Sequence, residues 1–377
     1  MADIHGTYDE RFAQVRDVLA ANLDAGLDLG ASVAVFLRGE PVVDIWGGYV
    51  DEAKTRPWEQ DTIINVWSTT KTMAALCSLI LADRGELDLH APVARYWPEF
   101  AAASKERVEV RHLLAHTAGL SGWAEPVSIE DLYDWEKATS LLAVQEPWWS
   151  PGTASGYHAV TQGYLVGEVV RRVTGQTLGT FFANEVAGPL GADFHIGTPS
   201  ECDDRVAPVV PPPSLADQLG AIDPDSVAAR TFSNPVLDAS VSFEIPWRRA
   251  EIPAANGHGN ARSVGVIQSV LACGGEVGGV RLLSEKGCEA VFEEQANGTD
   301  LVLGVPLRFG VGYGLSGELL PIGPRACFWG GWGGSLIIAD YDLNLVVTYV
   351  MNKMESGLVG DVRGAGVALA AFAAATS

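Results

Sequence analysis

Val66-Trp67-Ser68-Thr69-Thr70-Lys71 stands where a polar segment runs into an apolar one that continues to Arg84 and stops at Gly85. The apolar spacing predicts a helix over residues 68–84, with Gly85 suited to the left-handed position that ends it. Residues i and i+3 of a helix share a face, so the Lys71 amine reaches the Ser68 hydroxyl. Burial disfavours the charged form of a lysine, and a neutral amine can take the serine proton. The amides at a helix start also favour negative charge developing beside Ser68. Ser-x-x-Lys alone has only two fixed letters and also occurs on solvated helix faces, so the neighbouring segments decide its meaning.

Upstream, Phe12, Val15, Leu19 and Leu23 recur at three- and four-residue steps and predict a helix beginning at Glu10. Residues 31–37 and 42–48 read as strands joined by the turn Arg38-Gly39-Glu40-Pro41. Downstream, residues 85–265 are mostly helical in pattern, with a Pro-rich loop at 206–213 and an irregular stretch over 191–240. Strands return at 307–315, 326–332, 335–340 and 345–351, and an Ala-rich helix covers 359–375. Sheet-forming segments at both ends predict one α/β lobe built from residues 1–84 and 266–377. Residues 85–265 then form an inserted helical lobe, and a substrate would sit in the cleft between the two.

Composition narrows the function classes. The 377 residues are 47% apolar, ample for a buried core. The longest apolar stretch, 336–351, is interrupted by Asp340, Asp342 and Asn344, so no membrane span of about 20 clean apolar residues is expected. Residues 1–11 contain Asp3, Asp9 and Glu10 and lack the features of a signal peptide, which predicts a cytoplasmic location. Five cysteines without a C-x-x-C pair read as reduced thiols rather than a disulfide framework or zinc site. A formal charge of −22 argues against nucleic-acid and anionic-membrane partners and is read as a solubility feature.

No G-x-S-x-G surrounds any serine, which removes the nucleophile elbow, and H-E-x-x-H is absent. His112 and His116 have an i,i+4 spacing but no acidic ligand motif beside them. They read as a helix-end pair satisfied by local hydrogen bonds; no metal and no cofactor is expected.

The segment around Ser68 is followed, in order, by Arg84-Gly85-Glu86-Leu87-Asp88-Leu89, by Val110-Arg111-His112-Leu113-Leu114-Ala115-His116-Thr117-Ala118-Gly119-Leu120, and by Tyr157-His158 with Gly163-Tyr164-Leu165-Val166-Gly167-Glu168. Together these blocks resemble the serine β-lactamase and penicillin-binding-protein superfamily over residues 30–355. Asn256-Gly257-His258-Gly259-Asn260 and Trp329-Gly330-Gly331-Trp332-Gly333-Gly334-Ser335 make the chain most similar to the family VIII carboxylesterases, relatives of the class C β-lactamases. The resemblance implies a β-lactamase/transpeptidase-like fold, an antiparallel sheet flanked by terminal helices with an inserted, mostly helical lobe. It also implies Ser68 as the acylated nucleophile, Lys71 as its base and Tyr157 as a proton relay. A phenol beside an ammonium is expected to have a lowered pKa.

Class C enzymes have Tyr-x-Asn where this chain has Tyr157-His158-Ala159, and Lys-Thr-Gly where it has Trp329-Gly330-Gly331. The cation that would pair with a β-lactam carboxylate is thereby replaced by an aromatic, which favours neutral acyl esters. Counting along the matched strand gives the Trp332 amide as the second oxyanion donor beside that of Ser68, with Gly330 and Gly331 allowing close backbone approach to the substrate. Trp123, Trp148, Trp149, Trp329 and Trp332 are candidates for an aromatic wall. His158 is a further candidate contact, and His258 reads as structural. The expected activity is that of a serine carboxylesterase acting on a small-molecule ester. The alternatives are a β-lactamase or amide hydrolase, an acyltransferase on the same residues, and a non-catalytic scaffold.

Overall fold

In the computed structural model, which describes residues 2–212 and 223–377, the two ends of the chain build one nine-stranded antiparallel sheet. Its order is Ile4–Tyr8, Glu40–Gly48, Gly30–Leu37, Leu345–Met351, Leu336–Asp340, Ala326–Gly330, Gly314–Leu315, Pro306–Phe309 and Ala296–Thr299. The N-terminal hairpin joins the C-terminal strands in a register running from Leu345 opposite Leu37 to Met351 opposite Ala31. Leu345–Met351 is buried throughout. A strand covered on both faces reads as a continuous apolar run rather than an alternation.

Neighbouring residues of that strand show what covers it. Thr348 Oγ1 donates to Ala261 O at 2.8 Å, on the helix Ala261–Ala272. Tyr349, the next residue, faces the C-terminal helix Val362–Thr376, where a methyl on Gly364 would come within 3.2 Å of the tyrosine ring. Successive strand residues point to opposite faces, so helices cover both. The N-terminal helix Ala13–Asp24 lies against the C-terminal one.

Several expected boundaries move for local reasons. The helix expected at Glu10 begins as a 3-10 turn, Glu10–Phe12, capped by the Asp9 carboxylate. Arg38 and Gly39 both take left-handed backbone, so the second strand resumes at Glu40. The strand expected over 307–315 is two, separated at left-handed Gly312. The one expected over 326–332 ends at Gly330, where Gly331–Gly334 turns the chain. The edge strands Ile4–Tyr8 and Ala296–Thr299 were not expected; both are largely exposed and carry no apolar alternation. Pro213 of the Pro-rich loop and residues 213–222 of the irregular stretch lie outside the described residues. The rest of 191–240 is mostly irregular but contains the helix Val227–Phe232 and the 3-10 turn Ser200–Arg205.

The helix Lys71–Asp83 is buried at every position from Lys71 to Leu81. It packs against the helices Thr161–Thr174, Leu178–Phe182 and Glu285–Glu289. Burial on all sides explains its nearly unbroken apolar sequence. Among the described residues, no helix is long and apolar enough to cross a membrane.

Candidate active site

Ser68 sits in the 3-10 turn Trp67–Thr70, one turn ahead of the helix Lys71–Asp83. Trp67 takes left-handed backbone, φ 50°, a conformation that is strained for a bulky residue. Its surroundings hold it there: Thr70 Oγ1 donates to Trp67 O at 2.5 Å, and the indole is wedged between Trp247 at 5.7 Å and Trp332 at 4.9 Å. Strain held by packing in this way fixes where Ser68 points.

Lys71 Nζ lies 3.0 Å from Ser68 Oγ, 2.7 Å from Ala159 O and 2.9 Å from Ala254 O. No carboxylate is among these partners, and burial pushes the lysine pKa well below its usual value. A neutral amine has two N–H donors and one lone pair. The two carbonyls take the donors, which leaves the lone pair for the serine hydroxyl. The position of the Ala254 carbonyl depends on Asn256. Asn256 Nδ2 donates to Trp247 O and Ala250 O, and Oδ1 accepts from Ile252 N, folding the preceding loop into place.

Tyr157 OH donates to Ser68 Oγ at 2.5 Å, and Lys71 Nζ lies 4.7 Å from the centre of the phenol ring. The lowered phenol pKa expected from the sequence is not found. Burial pushes it above its ordinary value and outweighs the bond to Ser68. A neutral lysine supplies no ammonium to stabilise a phenolate. The Trp329 indole N–H is near enough to favour the ionised phenol, but falls short of hydrogen-bond geometry. Tyr157 is therefore a protonated donor. Asp300 fixes its backbone, with Oδ1 accepting from Tyr157 N at 3.0 Å and from Val302 N and Leu303 N at 2.9 Å.

Of the four amides in the turn Gly331–Gly334, three donate to protein carbonyls: Gly331 to Ser335, Gly333 to Gly357 and Gly334 to Gly331. Among the described residues the Trp332 N–H has no protein acceptor, and neither has the Ser68 N–H. Ser335 Oγ donates to Val66 O at 2.9 Å and lies 2.9 Å from Thr69 Oγ1, tying this turn to the serine segment. A methyl on Gly331 would come within 2.3 Å of Val66 O and 3.3 Å of Ser68 N. On Gly330 it would meet the backbone of Val359 and Gly360. The two glycines thus admit other protein segments, where the sequence suggested room for substrate.

Ser68 lines a narrow cavity of about 50 Å³, with Tyr157, Trp67, Trp332, Phe232, Leu237 and Leu358 among its walls. No wall residue carries a charge. A wider hollow of about 720 Å³ contains none of Ser68, Lys71 and Tyr157, so chemistry rather than size selects the smaller space. Of the tryptophans expected to wall the site, only Trp332 does so. Trp329 lies behind Tyr157, 5.4 Å from its ring, and stacks on His116 at 5.9 Å. Trp123 packs on Tyr164 and donates to Ala138 O. Trp148 stacks with Arg230, and Trp149 donates to Ala154 O beside His158.

His158 is buried away from the cavity. Its Nε2 accepts from Leu120 N at 3.0 Å, its Nδ1 faces Gly156 O at 2.6 Å, and burial lowers its pKa to about 3. It is a neutral packing residue instead of a substrate contact. His258, with Nδ1 on Asn256 O, is likewise neutral. His112 and His116 do not face a common point: each Nδ1 accepts a backbone N–H, from Glu109 and His158 respectively.

Sequence reading missed Trp67, Phe232, Leu237 and Leu358 as cavity walls. Trp67 stood in the quoted motif, and Phe232 and Pro235-Val236-Leu237 are apolar letters in a stretch read as irregular, the one signal there. The carbonyls of Ala159 and Ala254 leave no side-chain signal.

The Beta-lactamase family model matches residues 19–372. Esterase/beta-lactamase LipL of Mycobacterium tuberculosis is 36% identical over 94% of this chain and 84% of its own length. The crystal structure of a family VIII carboxylesterase is 43% identical, with TM-score 0.93 over 99% of this chain and 100% of that one. A penicillin-binding protein homologue from Caulobacter crescentus is 38% identical, with TM-score 0.92 over 99% and 100% of the two chains. A serine with a buried lysine and a tyrosine at hydrogen-bond distance, on a fold shared end to end with the two solved structures, leads to one assignment: the chain belongs to the beta-lactamase family.

Proposed function

We propose that the protein is a serine carboxylesterase that hydrolyses short- to medium-chain acyl esters through an acyl-enzyme on Ser68. The observation that carries this reading is Ser68 Oγ held between the buried Lys71 amine at 3.0 Å and the Tyr157 phenol at 2.5 Å, at the wall of an uncharged cavity. Ser68 Oγ attacks the ester carbonyl as its proton passes to Lys71 Nζ. The oxyanion accepts from the free N–H groups of Ser68 and Trp332. On collapse the C–O bond breaks, Tyr157 donates its proton to the leaving alkoxide, and Lys71 returns a proton to the phenol. Water then attacks the acyl-enzyme by the same proton path, releasing the carboxylic acid and restoring Ser68.

The names of the relatives, a family VIII carboxylesterase and an esterase/beta-lactamase, support this reading. The second name also raises lactam hydrolysis. The uncharged cavity walls weigh against it, since an anionic lactam would find no cation there. Acyl transfer to another alcohol shares the acyl-enzyme and differs only in the acceptor.

The same proposal includes a division into a sheet lobe, residues 1–84 with 266–377, and a helical lobe, residues 85–265. Its second boundary falls inside the helix Ala261–Ala272, which lies on the sheet and fits the sheet lobe better. A cytoplasmic location is also proposed, supported by the unpaired state of Cys77, Cys202, Cys273, Cys288 and Cys327.

The test is hydrolysis of p-nitrophenyl acetate, butyrate and octanoate beside nitrocefin, by wild type and Ser68→Ala, with intact-protein mass spectrometry. Ester turnover that disappears with Ser68, together with an acyl adduct and slow nitrocefin cleavage, is the expected result. Faster nitrocefin than ester turnover would replace the esterase reading by the lactamase one.

A further inference from the structure

We infer that Arg363, in the first turn of the C-terminal helix Val362–Thr376, is a positioning residue for the oxyanion site, acting on the Trp332 N–H through the carbonyl of Gly333. The inference rests on the esterase reading of Ser68 and Trp332. Arg363 NH2 donates to Gly333 O at 2.7 Å, one residue beyond Trp332. The guanidinium is buried, and its remaining bonds run from NH1 to Lys353 O at 2.8 Å, Asp28 Oδ1 at 2.9 Å and Leu27 O at 3.1 Å, and from Nε and NH2 to Asp361.

The need for such a clamp follows from the sequence of the turn. Gly333 and Gly334 have φ of 93° and 130°, values that glycine adopts freely and that leave the neighbouring peptides free to rotate. The peptide that carries Gly333 O also carries the Gly334 N–H, which donates to Gly331 O at 3.2 Å, and Gly331 O shares its peptide with the Trp332 N–H, so a rotation of the first peptide would release the second and aim the Trp332 N–H elsewhere. Gly333 is held on both sides: its N–H donates to Gly357 O at 2.8 Å, and its carbonyl accepts from Glu355 N at 3.0 Å as well as from Arg363. Arg363 alone among these is a side chain, and it joins the turn to the N-terminal segment at Leu27–Asp28. A planar fork with five fixed donors can do this; an ammonium on a flexible stem cannot satisfy all the partners at once.

The same placement explains the tight packing around Gly334, where a methyl would come within 2.4 Å of Asp361 Oδ2 and 2.6 Å of Arg363 NH2. The Asp28 and Asp361 carboxylates pair with the buried guanidinium, so its charge is compensated locally while its geometry is transmitted to the turn.

The test compares wild type, Arg363→Lys and Asp361→Asn. Asparagine keeps the cap that the Asp361 side chain makes on Arg363 N, while weakening its grip on the guanidinium. The readouts are kcat and KM for p-nitrophenyl acetate, the inhibition constant of phenylboronic acid, and folding by circular dichroism. Phenylboronic acid forms a tetrahedral adduct on Ser68 that puts an oxygen in the oxyanion site. Arg363→Lys is expected to lower kcat by about 10-fold or more, and to weaken phenylboronic acid by the same factor, with KM within about 2-fold of wild type. Asp361→Asn should show the same pattern to a smaller degree, and it decides the matter if Arg363→Lys does not fold. A folded variant whose boronate affinity matches wild type overturns the role of Arg363, whatever its kcat. A wild type that forms no boronate adduct on Ser68 overturns the esterase reading and this inference with it.

Discussion

Lys71 Nζ lies 3.0 Å from Ser68 Oγ inside the protein, and its other partners are the neutral carbonyls of Ala159 and Ala254. A lysine in a purely structural role would gain from a carboxylate. This one has none and is desolvated, so its pKa is depressed from 10.5. The amine is neutral above the folded pKa and is protonated as pH falls through it. kcat/KM should therefore rise with pH along an acid limb set by Lys71 and then level off. Lys71→Met should lower kcat by ~10²-fold or more and abolish that limb.

The same depressed pKa has a consequence for stability. Between the folded pKa of Lys71 and 10.5 the unfolded chain binds more protons than the folded one, so stability should rise with pH across that window. Urea unfolding of wild type and Lys71→Met at several pH values checks this: wild type should gain stability with pH more steeply than the variant. Parallel slopes would mean that Lys71 is charged in the folded protein.

Tyr157 tests the division of labour. Its pKa is raised by burial, so it is a proton donor throughout the neutral range and does not generate the acid limb. Tyr157→Phe should lower kcat by about 10²-fold and leave the midpoint of that limb where Lys71 sets it. A limb that vanishes with the phenol would make Tyr157 the base.

Gly331→Ala should damage the site without touching a catalytic side chain. The added methyl would stand 2.3 Å from Val66 O and 2.4 Å from Ser335 Oγ, and Val66 is backbone that cannot step aside alone. A loss of about 1–3 kcal/mol in unfolding free energy is expected from overpacking of this kind, with a fall in kcat because the serine segment and the Trp332 turn are pushed apart. Unchanged stability and activity would show that the two segments separate freely.

What the sequence revealed and what it concealed follow from the kind of interaction. The central strands were legible because Leu345–Met351 is buried on both faces and reads as an apolar run broken only by Thr348, and the helix Lys71–Asp83 because burial on all sides leaves a similar trace. Ser68, Lys71 and Tyr157 stood in recognisable blocks. The edge strands Ile4–Tyr8 and Ala296–Thr299 are held by backbone pairing with little side-chain burial, so their letters carry no pattern. The Tyr157 pKa is raised where a lowered one is expected because residue order shows the nearby lysine but not the loss of solvent, which neutralises that lysine and lifts the phenol together. The same applies to Arg363: two of its partners, Gly333 and Leu27, lie 30 and 336 residues away, and no local spacing announces them.

The cavity wall makes acyl-chain length a test of the site's shape. The space beside Ser68 is about 50 Å³, enough for a few water molecules, so a small acyl group fits within it and a long chain extends beyond it. Phe232 and Leu237 line it on a segment anchored by Asn234, whose Nδ2 donates to Trp123 O and Glu125 O and whose Oδ1 accepts from Val127 N. Anchored walls do not retreat easily, so wild type should prefer p-nitrophenyl acetate and butyrate to octanoate. Phe232→Ala removes a ring from the wall and leaves Ser68, Lys71 and Tyr157 in place. It should raise kcat/KM for octanoate relative to acetate by about 10-fold or more, the size of effect that a single methylene can produce in an apolar pocket, with most of the change in KM. If the ratio of the two esters is the same in variant and wild type, the acyl chain does not enter this cavity and must leave Ser68 on another side.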